Sequence, residues 1–241
     1  EKLRLVELTA AHAGAGRVIL AGTGLESTRE TIRLTNLAAD AGAHAALVLT
    51  PSFYGGQMGD DALVRHFRAV ADGAKIPVLI YNVPAYTHLV ISVSAVRTLS
   101  THPNIVGMKD SSGDVPRIAA IKASVPDTFQ FIVGAGGALF PALSLGVRAA
   151  ILAPANFAGS RLAEVQHLFD AGKLVESREA FYRLLPVNAA VTAQFGVPGM
   201  KCAAELAGYE AGFVRAPLLP VSPQVRDQIK QTMETAGLLS S

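Results

Sequence analysis

Seven lysines are spread along this chain, and one of them stands where chemistry is usually done. In "NIVGMKDSSGD", residues 104–114, the apolar run of Ile105, Val106 and Met108 reads as the interior of a strand, and Lys109 as its carboxyl end. In parallel α/β folds the loops leaving the carboxyl ends of strands converge on one face, where reactive groups gather. The other lysines fall in helices or in flanking loops. An amine at a strand end can attack a carbonyl and form a Schiff base once it has shed its proton. For an ordinary lysine, with a pKa of about 10.4, that costs roughly 4–5 kcal/mol at pH 7, much of which an apolar environment can recover. A structural reading stays open at this point: the stem could pack on the sheet with its ammonium in water or paired with Asp110.

Twenty-eight residues earlier, Tyr81 ends the preceding apolar run in "IPVLIYNVPAYTH". One βα repeat of separation puts the two side chains at the same level on adjacent strands. A phenol beside an amine suits the proton transfers of carbinolamine dehydration and carbon–carbon cleavage. Alone, such a tyrosine could equally be a core residue with its hydroxyl satisfied. The six histidines show no ligand spacing, which argues against metal-dependent aldol chemistry. "GTG" at 22–24 and "GAGG" at 134–137 stop short of a dinucleotide fingerprint and read as loops. The residues therefore imply no metal, nucleotide or flavin cofactor.

The elements that must position this pair are legible as six repeats of a short aliphatic run, a turn and a helix-period stretch. The runs are RVILAG (17–22), HAALVLT (44–50), PVLIYN (77–82), IVGMKD (105–110), FQFIVGA (129–135) and AAILAP (149–154). Between the first two lies "STRETIRLTNLAADAGA", which Ser27 or Thr28 could cap at its start and Gly42 at its end. Strands this apolar, alternating with helices, imply a parallel sheet covered by helices, in an α/β class. Past Gly172 the strand signal stops, and helices are expected around 174–194, 200–208 and 222–236.

An open doubly wound sheet and a closed barrel both fit these repeats. The chain opens directly on a helical pattern, "EKLRLVEL", with no capping residue before it, and two more repeats would bring the total to the roughly 250 residues of an eight-stranded barrel. The expectation is a (β/α)8 TIM barrel over residues 1–172 that lacks its first two strands in this chain, followed by a helical extension over 173–241.

Composition narrows the partners. Half of the residues are apolar, 17% are charged, and the net charge of +2 comes without a basic cluster, so neither nucleic acid nor an anionic membrane is expected as a partner. A single cysteine, Cys202, excludes a disulfide framework and reads as a packing residue. No run approaches the roughly 18 apolar residues of a membrane span, and a cytoplasmic protein is expected.

Taken together, "YNVP" and "NIVGMKDSSGD" resemble the dihydrodipicolinate synthase/N-acetylneuraminate lyase family of class I pyruvate-dependent aldolases, (β/α)8 barrels with a helical carboxyl-terminal extension. The likeness runs from Glu1 through "AGTGLESTRETIRLT", "VLTPSFYGG" and "NAAVTAQFGVPGMK". It implies that Lys109 condenses with the keto group of pyruvate and that Tyr81 shuttles protons. It further implies a substrate contact at Ser111, close backbone approach at Gly134, where a missing Cβ is useful, and a pocket border at Ile151. A small keto acid as substrate and a homo-oligomer, a tetramer, are implied as well.

Within that family the synthase branch carries an arginine two residues after the proline of Tyr-Asn-Val-Pro; this chain has Tyr86 there, which argues against that branch. "HPNIVGMKDSSGDVPRI", "PVNAAVTAQFGVPGMK" and "RAPLLPVSP" look most like the 4-hydroxy-2-oxoglutarate aldolase branch, whose members release pyruvate and glyoxylate. Two departures from the family pattern stand out. The carboxylate-binding Gly-Thr-Thr-Gly-Glu-type loop would lie just before Glu1. Phe53 occupies the place of a tyrosine that many members lend to a neighbouring subunit, and phenylalanine relays no proton. These departures motivate a rival of another class, a keto-acid-binding protein without catalysis.

Overall fold

The computed structural model describes residues 1–239, and their contacts group them into two compact units, residues 1–134 and from Ala135 onward. Unit 1 runs α1 (Lys2–His12), β1 (Leu20–Gly22), α2 (Thr28–Asp40), β2 (Ala45–Leu49), α3 (Asp60–Gly73), β3 (Val78–Asn82), the short α4 (Pro84–Thr87), α5 (Val93–Leu99), β4 (Ile105–Asp110), α6 (Val115–Lys122) and β5 (Gln130–Val133). These strands are parallel and lie in the order β1-β2-β3-β4-β5. The register sets Tyr81 of β3 opposite Lys109 of β4, and Asn82 opposite Asp110.

Side chains alternate across such a sheet, so each strand presents two sets. One set, including Val48, Val78, Ile80, Met108 and Val133, is almost wholly buried. The other contributes Leu20, Leu47, Leu79 and Ile132, joined by Val106 at the register shift between β3 and β4, an apolar layer on the face to which Tyr81 and Lys109 belong. Burial on both faces is why these strands read as continuous apolar runs. The helices follow from capping and periodicity. Ser27 accepts a hydrogen bond from the Glu30 amide at the start of α2, and Gly42 takes a left-handed φ of +101° just beyond its end. In α3 the buried residues Leu63, His66, Phe67, Val70 and Ala71 recur at helical spacing, with Asp60 and Asp61 in the first turn where the helix dipole favours them. The Asp114 carboxylate caps α6 by accepting from the Arg117 amide at 3.0 Å.

Unit 2 contains α7 (Leu139–Ser144), the two-residue β6 (Ala149–Ala150), α8 (Ala155–Asp170), α9 (Leu174–Asn188), a π-helical turn (Ala189–Gln194), α10 (Gly196–Leu206) and α11 (Pro223–Thr235). Its core gathers Phe157, Val187, Val191, Cys202, Ala203, Ile229 and Met233. Burial pushes the Cys202 thiol above its ordinary pKa, and a protonated buried thiol is a packing group. Among the described residues, no helix is long and apolar enough to cross a membrane.

Candidate active site

Tyr81 and Lys109 stand side by side on adjacent strands. Lys109 is buried, 9% exposed, and its Nζ lies 4.3 Å from the centroid of the Tyr81 ring. The ring face carries negative charge, so this is a favourable seat for a cation. Among the described residues no carboxylate, carbonyl or hydroxyl accepts a hydrogen bond from that nitrogen.

Asp110 does not hold it. Successive strand residues face opposite sides, and the Asp110 carboxylate is taken up on the far face. It accepts from Asn82 Nδ2 at 2.8 Å, from the Ser112 amide at 2.8 Å and hydroxyl, and from Arg117 Nε at 3.1 Å. The pairing of Lys109 with Asp110, one of the two forms a structural role could take, is therefore absent. Removing one partner of a buried ion pair such as Asp110–Arg117, whose side chains are 0% and 10% exposed, costs about 3–5 kcal/mol because the other charge is stranded.

Ser111, two residues beyond Lys109, returns to the same face. Its hydroxyl is buried and has no hydrogen-bond partner, a costly condition for a polar atom that a ligand group could relieve. Gly134 follows β5 directly, and its amide donates to the Asp110 carbonyl at 2.8 Å. A Cβ at Gly134 would lie 2.0 Å from Ser111 Oγ and 2.8 Å from Lys109 Cε, so the missing side chain leaves room for the lysine stem and the serine hydroxyl. The structure thus brings Tyr81, Lys109, Ser111 and Gly134 together in unit 1. Ile151 follows β6 in unit 2 and is 37% exposed.

Other sequence features find steric explanations. In "GTG", a Cβ at Gly24 would lie 2.3 Å from the Leu49 amide nitrogen, so close packing of two strand ends accounts for that glycine. Phe53 is 78% exposed and packs edge-on against Tyr54 at 5.0 Å between ring centroids, while its amide donates to Glu26 at 3.0 Å. Sequence reasoning missed Asn82 and Arg117. The signal for Asn82 was present: it follows Tyr81 as Asp110 follows Lys109, so the same 28-residue spacing pairs them.

A lysine amine beside a phenol at the carboxyl ends of parallel strands is an arrangement suited to Schiff-base chemistry on an α/β scaffold. The Dihydrodipicolinate synthetase family matches residues 1–236, and the chain belongs to that family. The 4-hydroxy-tetrahydrodipicolinate synthase of Acidiphilium cryptum (strain JF-5) is 35% identical over 240 residues, covering all of this chain and 82% of that protein. The 4-hydroxy-tetrahydrodipicolinate synthase structure from Methylacidiphilum fumariolicum SolV superposes with a TM-score of 0.91 at 30% identity, covering 98% of this chain and 79% of that one. The chloride-inhibited dihydrodipicolinate synthase of Acinetobacter baumannii, solved with pyruvate, superposes with a TM-score of 0.91 at 28% identity, covering 99% and 81%. The chain is thus a pyruvate-dependent aldolase of class I, with an α/β fold of the TIM-barrel type and carboxyl-terminal helices.

Proposed function

We propose that this enzyme cleaves a 4-hydroxy-2-oxo acid, 4-hydroxy-2-oxoglutarate, to pyruvate and glyoxylate through a Schiff base on Lys109. The observation that carries the reading is the Lys109 amine over the face of Tyr81, with no acceptor holding it. The neutral amine attacks the C2 carbonyl, water leaves, and the iminium withdraws the electrons of the C3–C4 bond while the C4 hydroxyl gives up its proton. Glyoxylate departs, the remaining enamine is protonated at C3, and hydrolysis releases pyruvate and restores the amine. Tyr81 is the group placed to carry the proton in dehydration and cleavage. Ser111 Oγ, buried and unpartnered, is assigned to a substrate oxygen, and Gly134 keeps the space between them open. Ile151 enters as a pocket-bordering residue on the family resemblance alone.

A second reading, 4-hydroxy-tetrahydrodipicolinate synthesis, draws support from the names of relatives such as the A. cryptum protein. Against it stands Tyr86, a neutral phenol at the place of that branch's arginine, which cannot supply a bidentate guanidinium to a carboxylate. A homo-tetramer in the cytoplasm completes the proposal, and the exposed aromatics Phe53, Tyr54 and Tyr86 are surface that such an assembly would cover. The test is a substrate panel. Pyruvate release is followed from 4-hydroxy-2-oxoglutarate, sialic acid and 2-oxo-3-deoxy sugar acids, and pyruvate consumption is followed with aspartate semialdehyde. Preferred turnover of 4-hydroxy-2-oxoglutarate is expected; preference for aspartate semialdehyde would establish the second reading instead.

A further inference from the structure

In unit 2 the chain between α10 and α11, residues 207–222, runs without helix or strand. This loop and the two helices enclose a groove of about 410 Å³, lined by Pro198 and Lys201 of α10, by Phe213 and Leu218 of the loop and by Arg226 of α11. Gly212 takes a left-handed φ of +65°, and Lys201 Nζ donates to the Ala211 carbonyl just before it, so the loop is tied to α10 where it turns. Phe213 follows that turn. It lines the groove while 96% exposed, and it takes no part in the core that gathers Val191, Cys202 and Met233. A phenyl ring left in water forgoes the burial an aromatic side chain ordinarily gains, and a ligand seated on it would supply that burial.

Three charges stand along the same groove. Lys201 and Glu205 lie four residues apart on α10 and share a face. Arg226 Nη1 donates to Glu205 Oε2 at 3.4 Å and to Cys202 Sγ at 3.8 Å, while its Nε and Nη2 donate to no described residue. Among the described residues no carboxylate pairs with Lys201. Two cations against one anion leave a positive charge over, and a guanidinium with open donors suits a carboxylate. A mostly apolar concavity with a few convergent polar groups is the form of a small-molecule site, and this volume lies towards the small end of such pockets.

We propose that this groove binds a small carboxylic acid with an aromatic body, its ring against Phe213, Leu218 and Pro198 and its carboxylate on Arg226 and Lys201. The site is built wholly from residues 198–226, so the inference does not rest on the assignment of Lys109.

The experiment is isothermal titration of the full chain with 3-phenylpropanoate, with its primary amide and with propanoate, repeated in R226M and F213S, with thermal unfolding of each variant as a check on folding. The acid should bind about tenfold more tightly than the amide, which keeps the ring without the charge, and than propanoate, which keeps the charge without the ring. R226M should weaken the acid about tenfold and leave the amide unchanged, whereas F213S should weaken both. Where R226M fails to fold, the acid-to-amide ratio in the wild type and the loss in F213S decide. No binding of the acid, or equal binding of acid and amide, overturns the inference. So does an acid affinity that F213S leaves unchanged, which would put the acid elsewhere on the chain. An oligomer that F213S dissociates, with no acid bound by the wild type, would make the groove an interface between copies and overturns it as well.

Discussion

Replacing Gly134 by alanine adds one methyl group against Ser111 and the Lys109 stem. The backbone there tolerates the change, since Gly134 is not among the residues with positive φ, and the consequence is steric. The new Cβ would meet Ser111 Oγ at 2.0 Å and Lys109 Cε at 2.8 Å. Carbon atoms rest at about 3.5–4.0 Å, so the serine must rotate away and the lysine stem must retreat by about 1 Å. Overpacking of this kind costs about 1–3 kcal/mol, which leaves an ordinary domain folded. A displacement of about 1 Å at a reacting group costs about 100-fold in rate. We therefore expect G134A to unfold a few degrees lower than wild type and to form the borohydride-trapped pyruvyl adduct about 100-fold more slowly. The control is G137A, three residues on, where a Cβ meets nothing within 4 Å and both properties should stay at wild-type values. Wild-type trapping by G134A would refute the claim that this glycine protects the lysine's position.

Tyr81→Phe keeps the ring under Lys109 Nζ and removes the hydroxyl, so pyruvate should be trapped more slowly but still on Lys109, while retro-aldol turnover falls by about 10²–10⁴-fold; turnover within a factor of two would remove the phenol from the proton path. Burial holds the pKa of His66 below that of ordinary histidine, against the opposing pull of the Glu26 carboxylate, so below about pH 6.5 the unfolded chain takes up a proton that the folded one declines. Stability is then fully present above that pH and lost as pH falls. Urea titrations between pH 7 and 5 should show the decline, and H66Q should flatten it. Ser92 caps α5 by accepting from the Ala95 amide at 3.0 Å and also donates to Asp60 at 2.5 Å, so S92A should lose about 1 kcal/mol in the same titrations with no change in the pyruvate adduct.

The strands were readable because parallel strands buried on both faces must be apolar throughout. PVLIYN and IVGMKD become β3 and β4 with at most one residue lost. The first run shortens to Leu20–Gly22: Val18 is 72% exposed, and the Ile19 amide donates to His44 Nδ1 at 3.0 Å, a side-chain bond that no strand pattern announces. AAILAP yields only Ala149–Ala150 because the Leu152 carbonyl accepts the Ala155 amide and turns the chain into α8. The helix read over 174–194 gives way at Asn188 to a π-helical turn beyond the internal Pro186, a change of hydrogen bonding invisible to a periodicity count. In the site, the 28-residue spacing of Tyr81 and Lys109 was enough to pair them. The role of Asp110 was not legible, since its choice of Arg117 over Lys109 depends on which face of the strand it takes.

The proposed covalent bond to the keto acid falls on Lys109. Incubation with pyruvate and borohydride, followed by proteolysis and mass mapping, tests this most directly. One reduced pyruvyl group is expected, on the peptide containing Lys109, and none in K109R. An adduct on another lysine, or a chain that turns over substrate without any adduct, would contradict it.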